Sequence, residues 1–175
     1  MKNNLKKIII VILLVPLLIV VALSIAGSGK KSHPTDNELI ANFKQNKADF
    51  VTLLTMFQED KQLGRVGDNF TRPADVSKIN ISEERIDEYH KFFQKLNLKD
   101  GIEGYDEKDI IWFHTSGIGL SISGSSKGYV YSRDPSSRGK IVDNLDDKYR
   151  PENGQSFIAF KPIEGNWYLY FDYEN

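Results

Sequence analysis

The stretch GIGLSISGSSKGYVY, Gly117 to Tyr131, decides how the chain is read. Its first half alternates. Ile118, Leu120 and Ile122 fall on one side and Gly119, Ser121 and Ser123 on the other, the period-two pattern of a half-buried antiparallel strand. Its second half, Gly124 to Lys127 closed by Gly128, has the composition of a hairpin turn. A strand, a four-residue connection and a second strand over Gly128 to Ser132 are expected. The same run has a superficial look of chemistry. Gly119 and Gly124 have the spacing of a phosphate-binding loop, but Ser125 stands where that loop needs lysine, and a strand follows where a helix N-terminus should meet the phosphates. A serine–lysine acylase needs a hydroxyl three residues before Lys127, where Gly124 stands, and no GxSxG elbow with its strand-to-helix context is present.

Further strands are expected on both sides, over Asp109 to Thr115, Ser156 to Lys161 and Asn166 to Tyr173, each short, β-branched or aromatic, and bounded by turn residues. Arg133 to Gln155 reads as a long polar excursion. Upstream the period changes to helical. Thr35-Asp36-Asn37-Glu38 has the form of a capping box, and Leu39, Ile40, Phe43, Phe50, Leu53, Leu54 and Phe57 follow as an apolar stripe, predicting one helix to about Lys61. The stripe is too short for a coiled-coil seam, so it is expected to cover the sheet. Arg65 to Ile79 reads as loop. Ser82 caps a second helix, EERIDEYHKFFQKLN, with acids in its first turn, lysines later, and Asn97 or Gly101 to end it. Helices first and strands afterwards imply an α+β domain: two helices packed on a four- to five-stranded antiparallel sheet.

The first residues are of another kind. Ile8 to Ala26 is an uncharged apolar run of 19 residues, long enough as a helix to cross ~30 Å of hydrocarbon. Lys2, Lys6 and Lys7 precede it, and Ser24-Ile25-Ala26 resembles a cleavage site, but a signal h-region is shorter. Residues 1–26 are therefore read as an N-terminal transmembrane anchor, or an uncleaved signal, with the N-terminus cytoplasmic and the C-terminal domain periplasmic or otherwise extracytoplasmic. Cleavage would instead secrete the domain to the periplasm. Residues 27–34 form a tether and 35–175 a single α+β domain. Residues 32–175 carry 18 basic and 24 acidic side chains, net −6. That balance argues against nucleic acid as a partner. The chain has no cysteine, so disulfides and thiolate metal sites are excluded.

No catalytic residue, metal ligand or cofactor is assigned. His33, His90 and His114 lack any spacing that puts two on one face, and the acidic run at Asp143 to Asp147 lacks the glycine and bidentate glutamate of a calcium loop. The C-terminal NWYLYFDY alternates Trp167, Leu169 and Phe171 against Tyr168, Tyr170 and Asp172. If the second set faces outward, joined by Tyr129 and Tyr131 and by Ser125, Ser126 and Lys127, it makes a protein-binding surface. Helical cover of both sheet faces would bury it instead. The combination of PTDNELIANF, SGSSKGYVY and NWYLYFDY resembles a family of small bacterial membrane-anchored envelope proteins. That resemblance implies inner-membrane or periplasmic placement and supplies no catalytic residues. The expected function is a non-catalytic module, inhibitor-like, immunity-like or a complex subunit, that binds another envelope protein while residues 8–26 engage the membrane. The alternative is a small hydrolase or transferase using Ser125, Ser126 and Lys127 with His114 and Asp172.

Overall fold

The computed structural model describes residues 32–104, 109–120, 123–146 and 155–175. The expected span, residues 8–26, lies outside these residues. Among the described residues no helix is long and apolar enough to cross a membrane. Residues 33–175 form one compact unit.

The unit is α+β, with α1 (Asp36–Gln45), α2 (Lys47–Glu59) and α3 (Glu83–Leu96), a 3-10 turn at Val76–Ile79, and β1 (Arg65–Val66), β2 (Thr71–Arg72), β3 (Gly101–Gly104), β4 (Ile110–Leu120), β5 (Ser123–Ser132), β6 (Lys140–Ile141), β7 (Phe157–Glu164) and β8 (Trp167–Glu174). The strands make one eight-stranded sheet in the order β2-β1-β3-β4-β5-β8-β7-β6. Every pairing is antiparallel except β6 with β7, which is parallel. The expectation of four or five strands, all antiparallel, is corrected to eight in a mixed sheet. The additional strands are two to four residues long, too short for an alternation to register.

Both expected N-caps form. Thr35 Oγ1 accepts from the Glu38 amide at 3.2 Å while Glu38 Oε2 accepts from the Thr35 amide at 2.7 Å, and Ser82 Oγ accepts from the Arg85 amide at 3.2 Å. Asn97 ends α3 in the left-handed conformation at φ 58°. The first helix, expected to be continuous, is interrupted at Asn46. Its side-chain amide donates to the Asn42 carbonyl at 3.1 Å and to Asn42 Oδ1 at 2.8 Å, and such local bonding competes with the helical ladder. The apolar stripe survives the break, because Leu39, Phe43, Phe50, Leu53, Leu54 and Phe57 are all buried.

The helices cover one face of the sheet. Phe43 and Phe50 meet Phe113, Tyr129 and Trp167, the closest rings being Phe50 and Tyr129 with centroids 4.6 Å apart, edge to face. Each such pair adds about 0.5–1.5 kcal/mol beyond its burial. On the other face Ile110, Trp112, Val130, Phe160 and Tyr170 form a second apolar cluster to which no helix contributes.

The run that opened the reading is strand on both sides of the link between β4 and β5. Residues 124–127, expected to turn, pair with β4 through Gly119, Ile118, Gly117 and Ser116 and with β8 through Glu174, Tyr173, Asp172 and Phe171. The strands expected over Asp109 to Thr115 and from Ile118 onward are continuous as β4 (Ile110–Leu120), with a register shift between His114 and Ser116, and Ser123 already belongs to β5. Glycine and serine favour turns locally, but here they satisfy ladders on both edges of a central strand, which outweighs that preference.

Candidate functional site

Register divides the expected surface residues between the two faces of the sheet. Across β5 and β8, Tyr131 pairs with Trp167, Tyr129 with Leu169 and Lys127 with Phe171, all toward the helices; Val130 pairs with Tyr168, Gly128 with Tyr170 and Ser126 with Asp172, all toward the helix-free face. Tyr129 is fully buried, its hydroxyl donating to the Leu39 carbonyl and accepting from Asn42 Nδ2, both at 3.0 Å, and burial raises its pKa to about 12. Tyr131 is half-buried against Trp167. Neither stands beside Tyr168 and Tyr170. Tyr129→Phe is expected to cost about 1–2 kcal/mol in urea unfolding, since it removes the two hydrogen bonds that the phenol oxygen makes to α1, and to leave partner binding unchanged; a binding defect at unchanged stability would return Tyr129 to the surface set.

Lys127, expected in an exposed turn, is buried at 1% exposure. Its ammonium lies 2.7 Å from Asp36 Oδ1 and 2.6 Å from Asp146 Oδ1, while Lys161 Nζ reaches Asp36 Oδ2 at 3.0 Å. The Leu145 amide donates to Asp36 at 2.9 Å and the Asp36 amide to Asp146 at 2.8 Å. This network fastens the start of α1 to β5, β7 and the loop after β6. Burial pushes the Asp36 carboxyl up, but Lys127, the Leu145 amide and Lys161 outweigh it and hold the carboxyl below the ordinary range. His33, expected in a tether, is bonded through Nδ1 to Ser116 Oγ at 2.7 Å and through Nε2 to Ser125 Oγ at 2.8 Å. Burial and then the Lys127 charge lower its pKa.

The helix-free face holds a cleft of about 490 Å³. Trp112, Ile158 and Tyr170 give it apolar lining, and Asp100, Glu103, His114, Ser126, Asp172, Glu174, Arg65 and Arg138 its polar groups. Gly128 stands opposite both His114 and Tyr170 in the ladders, and without a side chain it lets the Tyr170 ring lie against the strand. The Tyr170 hydroxyl is 2.6 Å from His114 Nδ1 and bonds Ser126, and His114 Nε2 faces Glu103 Oε2 at 3.4 Å. Glu103 is in turn paired with Arg65 at 2.9 Å and Arg72 at 3.3 Å. A chain of polar groups thus runs from two guanidinium groups through a carboxylate, an imidazole and a phenol to a serine hydroxyl in the cleft. Burial raises the Tyr170 pKa. Asp172 is also pushed up, by burial and then by Glu174, against the lowering effect of His114.

Of the residues expected to act together in hydrolysis, Lys127 is held by Asp36 and Asp146 and the Ser125 hydroxyl by His33 on the helix-covered side, while Ser126, His114 and Asp172 line the cleft, to which Ser125 also contributes lining. Among the described residues no group of three or more histidine, aspartate or glutamate side chains is placed to hold a metal ion. Tyr168, Tyr170 and Asp172 were legible as one face from alternation, whereas Ser126, expected in a turn, joins them only through the register of β5 with β8. Glu103, Arg65, Trp112 and Asp100 were not, because β3 reads GIEG and β1 is two residues long. No family model matches the chain, and no curated protein or solved structure matches it.

Proposed function

We propose that this protein is a membrane-anchored binding module: residues 8–26 span the plasma membrane with the N-terminus cytoplasmic, and the extracytoplasmic domain binds another envelope protein, as an inhibitor, an immunity-type protein or a complex subunit. The observation that supports this is the cleft on the helix-free face, where aromatic and charged side chains from β1, β3, β4 and β8 converge with the serines of β5 and Ile158 of β7. A sheet face with an aromatic floor and a charged rim has the anatomy of a protein interface.

Photo-crosslinking from native membranes tests the reading. Tyr168→p-benzoylphenylalanine, on the helix-free face, is expected to give one discrete protein adduct, and Val51→p-benzoylphenylalanine, on the exposed side of α2, none. An adduct from position 51 with none from position 168 would move the interface to the helices and end the proposal.

A further inference from the structure

Resting on the helix-free face as the docking surface, we propose that its cleft receives a basic side chain, a lysine or arginine presented by the partner protein, with Asp172 as the counter-ion. The charges around the cleft carry the argument. Four carboxylates, Asp100, Glu103, Asp172 and Glu174, face two guanidinium groups, Arg65 and Arg138. Arg65 is paired with Glu103. Asp172 has no ion pair among the described residues.

Its position makes that lack consequential. Asp172 sits within β8, flanked by Ser126 of β5 and Ile158 of β7, so the backbone is held on both edges and the half-buried carboxylate stays on the cleft side of the sheet. Glu174 lies two residues along on the same face, adding like charge. Opposite them stand Ser126 and Gly124, which have little bulk and leave room above the carboxylate. A half-buried carboxylate beside a second one, next to Trp112, Ile158 and Tyr170, makes no ion pair among the described residues, even with Arg138, which lines the same cleft, and so has room for a further cation. A basic side chain relieves the like-charge repulsion, whereas an acidic one adds to it. The net −6 of residues 32–175 steers a basic partner surface to the same place.

A carboxylate that holds a fold together costs stability when neutralised. One that waits for a partner does the reverse, because burial and the like charge of Glu174 make its ionisation costlier in the folded than in the unfolded state. Asp172→Asn is therefore expected to leave Tm equal to or above that of the parent while weakening binding of a basic group at least about thirtyfold. The test uses full-length protein in nanodiscs, titrated with the pentapeptides Gly-Gly-Arg-Gly-Gly and Gly-Gly-Glu-Gly-Gly and read by NMR at Ser126, His114 and Tyr170. Saturable shifts with the arginine peptide, absent with the glutamate peptide and lost in Asp172→Asn at undiminished Tm, are the expected result. No cleft response to the arginine peptide, an equal response to glutamate, or unchanged affinity in Asp172→Asn overturns the inference. The photo-adduct from position 168 separates the two levels: its persistence in Asp172→Asn overturns the basic-group inference and leaves the docking face standing, while its absence from the parent removes the docking face itself.

Discussion

Lys127→Ala is expected to destabilise the protein by about 3–5 kcal/mol, because it leaves Asp36, itself 2% exposed, and Asp146 without the ammonium that both contact. Equilibrium urea unfolding followed by tryptophan fluorescence gives the number. Lys127→Met keeps most of the volume and removes the charge, so it should lose nearly as much; a loss confined to the alanine variant would mean that packing, not charge, is the role. Combining Lys127→Met with Asp36→Asn should recover part of the stability, since both partners of one buried pair are then neutral. The network also sets a pH dependence. The Asp36 carboxyl lies below its ordinary value in the folded state, so the unfolded state takes up its proton first as pH falls. The stability it supplies is therefore complete above about pH 4 and is lost as pH drops through the lower folded value. Lys127→Met should flatten that acid limb. Asp172 has the opposite sign: its raised pKa costs stability at neutral pH, and the cost is relieved on acidification.

Gly128→Ala is expected to cost about 3 kcal/mol or more and to disrupt the cleft at once. An ideal Cβ there falls far inside contact distance of the Phe113 carbonyl oxygen, and it lies 3.0 Å from Tyr170 Cε1 and 3.1 Å from the Thr115 nitrogen. Two of those neighbours are backbone in a paired strand, which cannot turn aside as a flexible side chain can, so overpacking reaches the upper end of its usual cost. The ring that must yield is the one bonded to His114. The His114 imidazole signals are therefore expected to shift along with the fall in the denaturation midpoint. Gly165→Ala is the control, because Gly165 has φ 55° and no atom within 4 Å of its would-be Cβ. It should lose only the ~1 kcal/mol of a left-handed backbone. Equal losses at the two positions would show that conformational strain rather than the close approach accounts for Gly128.

Sequence periodicity was enough for much of this. The capping residues Thr35 and Ser82, a helix end at Asn97 or Gly101, the buried stripe from Leu39 to Phe57, and strands over Ser156 to Lys161 and Asn166 to Tyr173, observed as Phe157–Glu164 and Trp167–Glu174, are all local statements, and local chemistry decides them. So was the sharing of one face by Tyr168, Tyr170 and Asp172, since two-residue alternation within a strand needs no knowledge of its neighbours. Register between strands is different. It depends on which strand lies beside which, and that placed Tyr129 and Tyr131 under the helices, turned Ser125 and Ser126 to opposite faces, and carried Lys127 from an expected turn into a buried ion network with Asp36, Asp146 and Lys161. The cleft is also a product of assembly. Glu103 and Trp112 meet because β3 pairs with β4, and His114 and Tyr170 because Gly128 lies between them on β5. Those contacts join residues from 9 to 56 positions apart, a separation over which no pattern along the chain carries information until the sheet has formed.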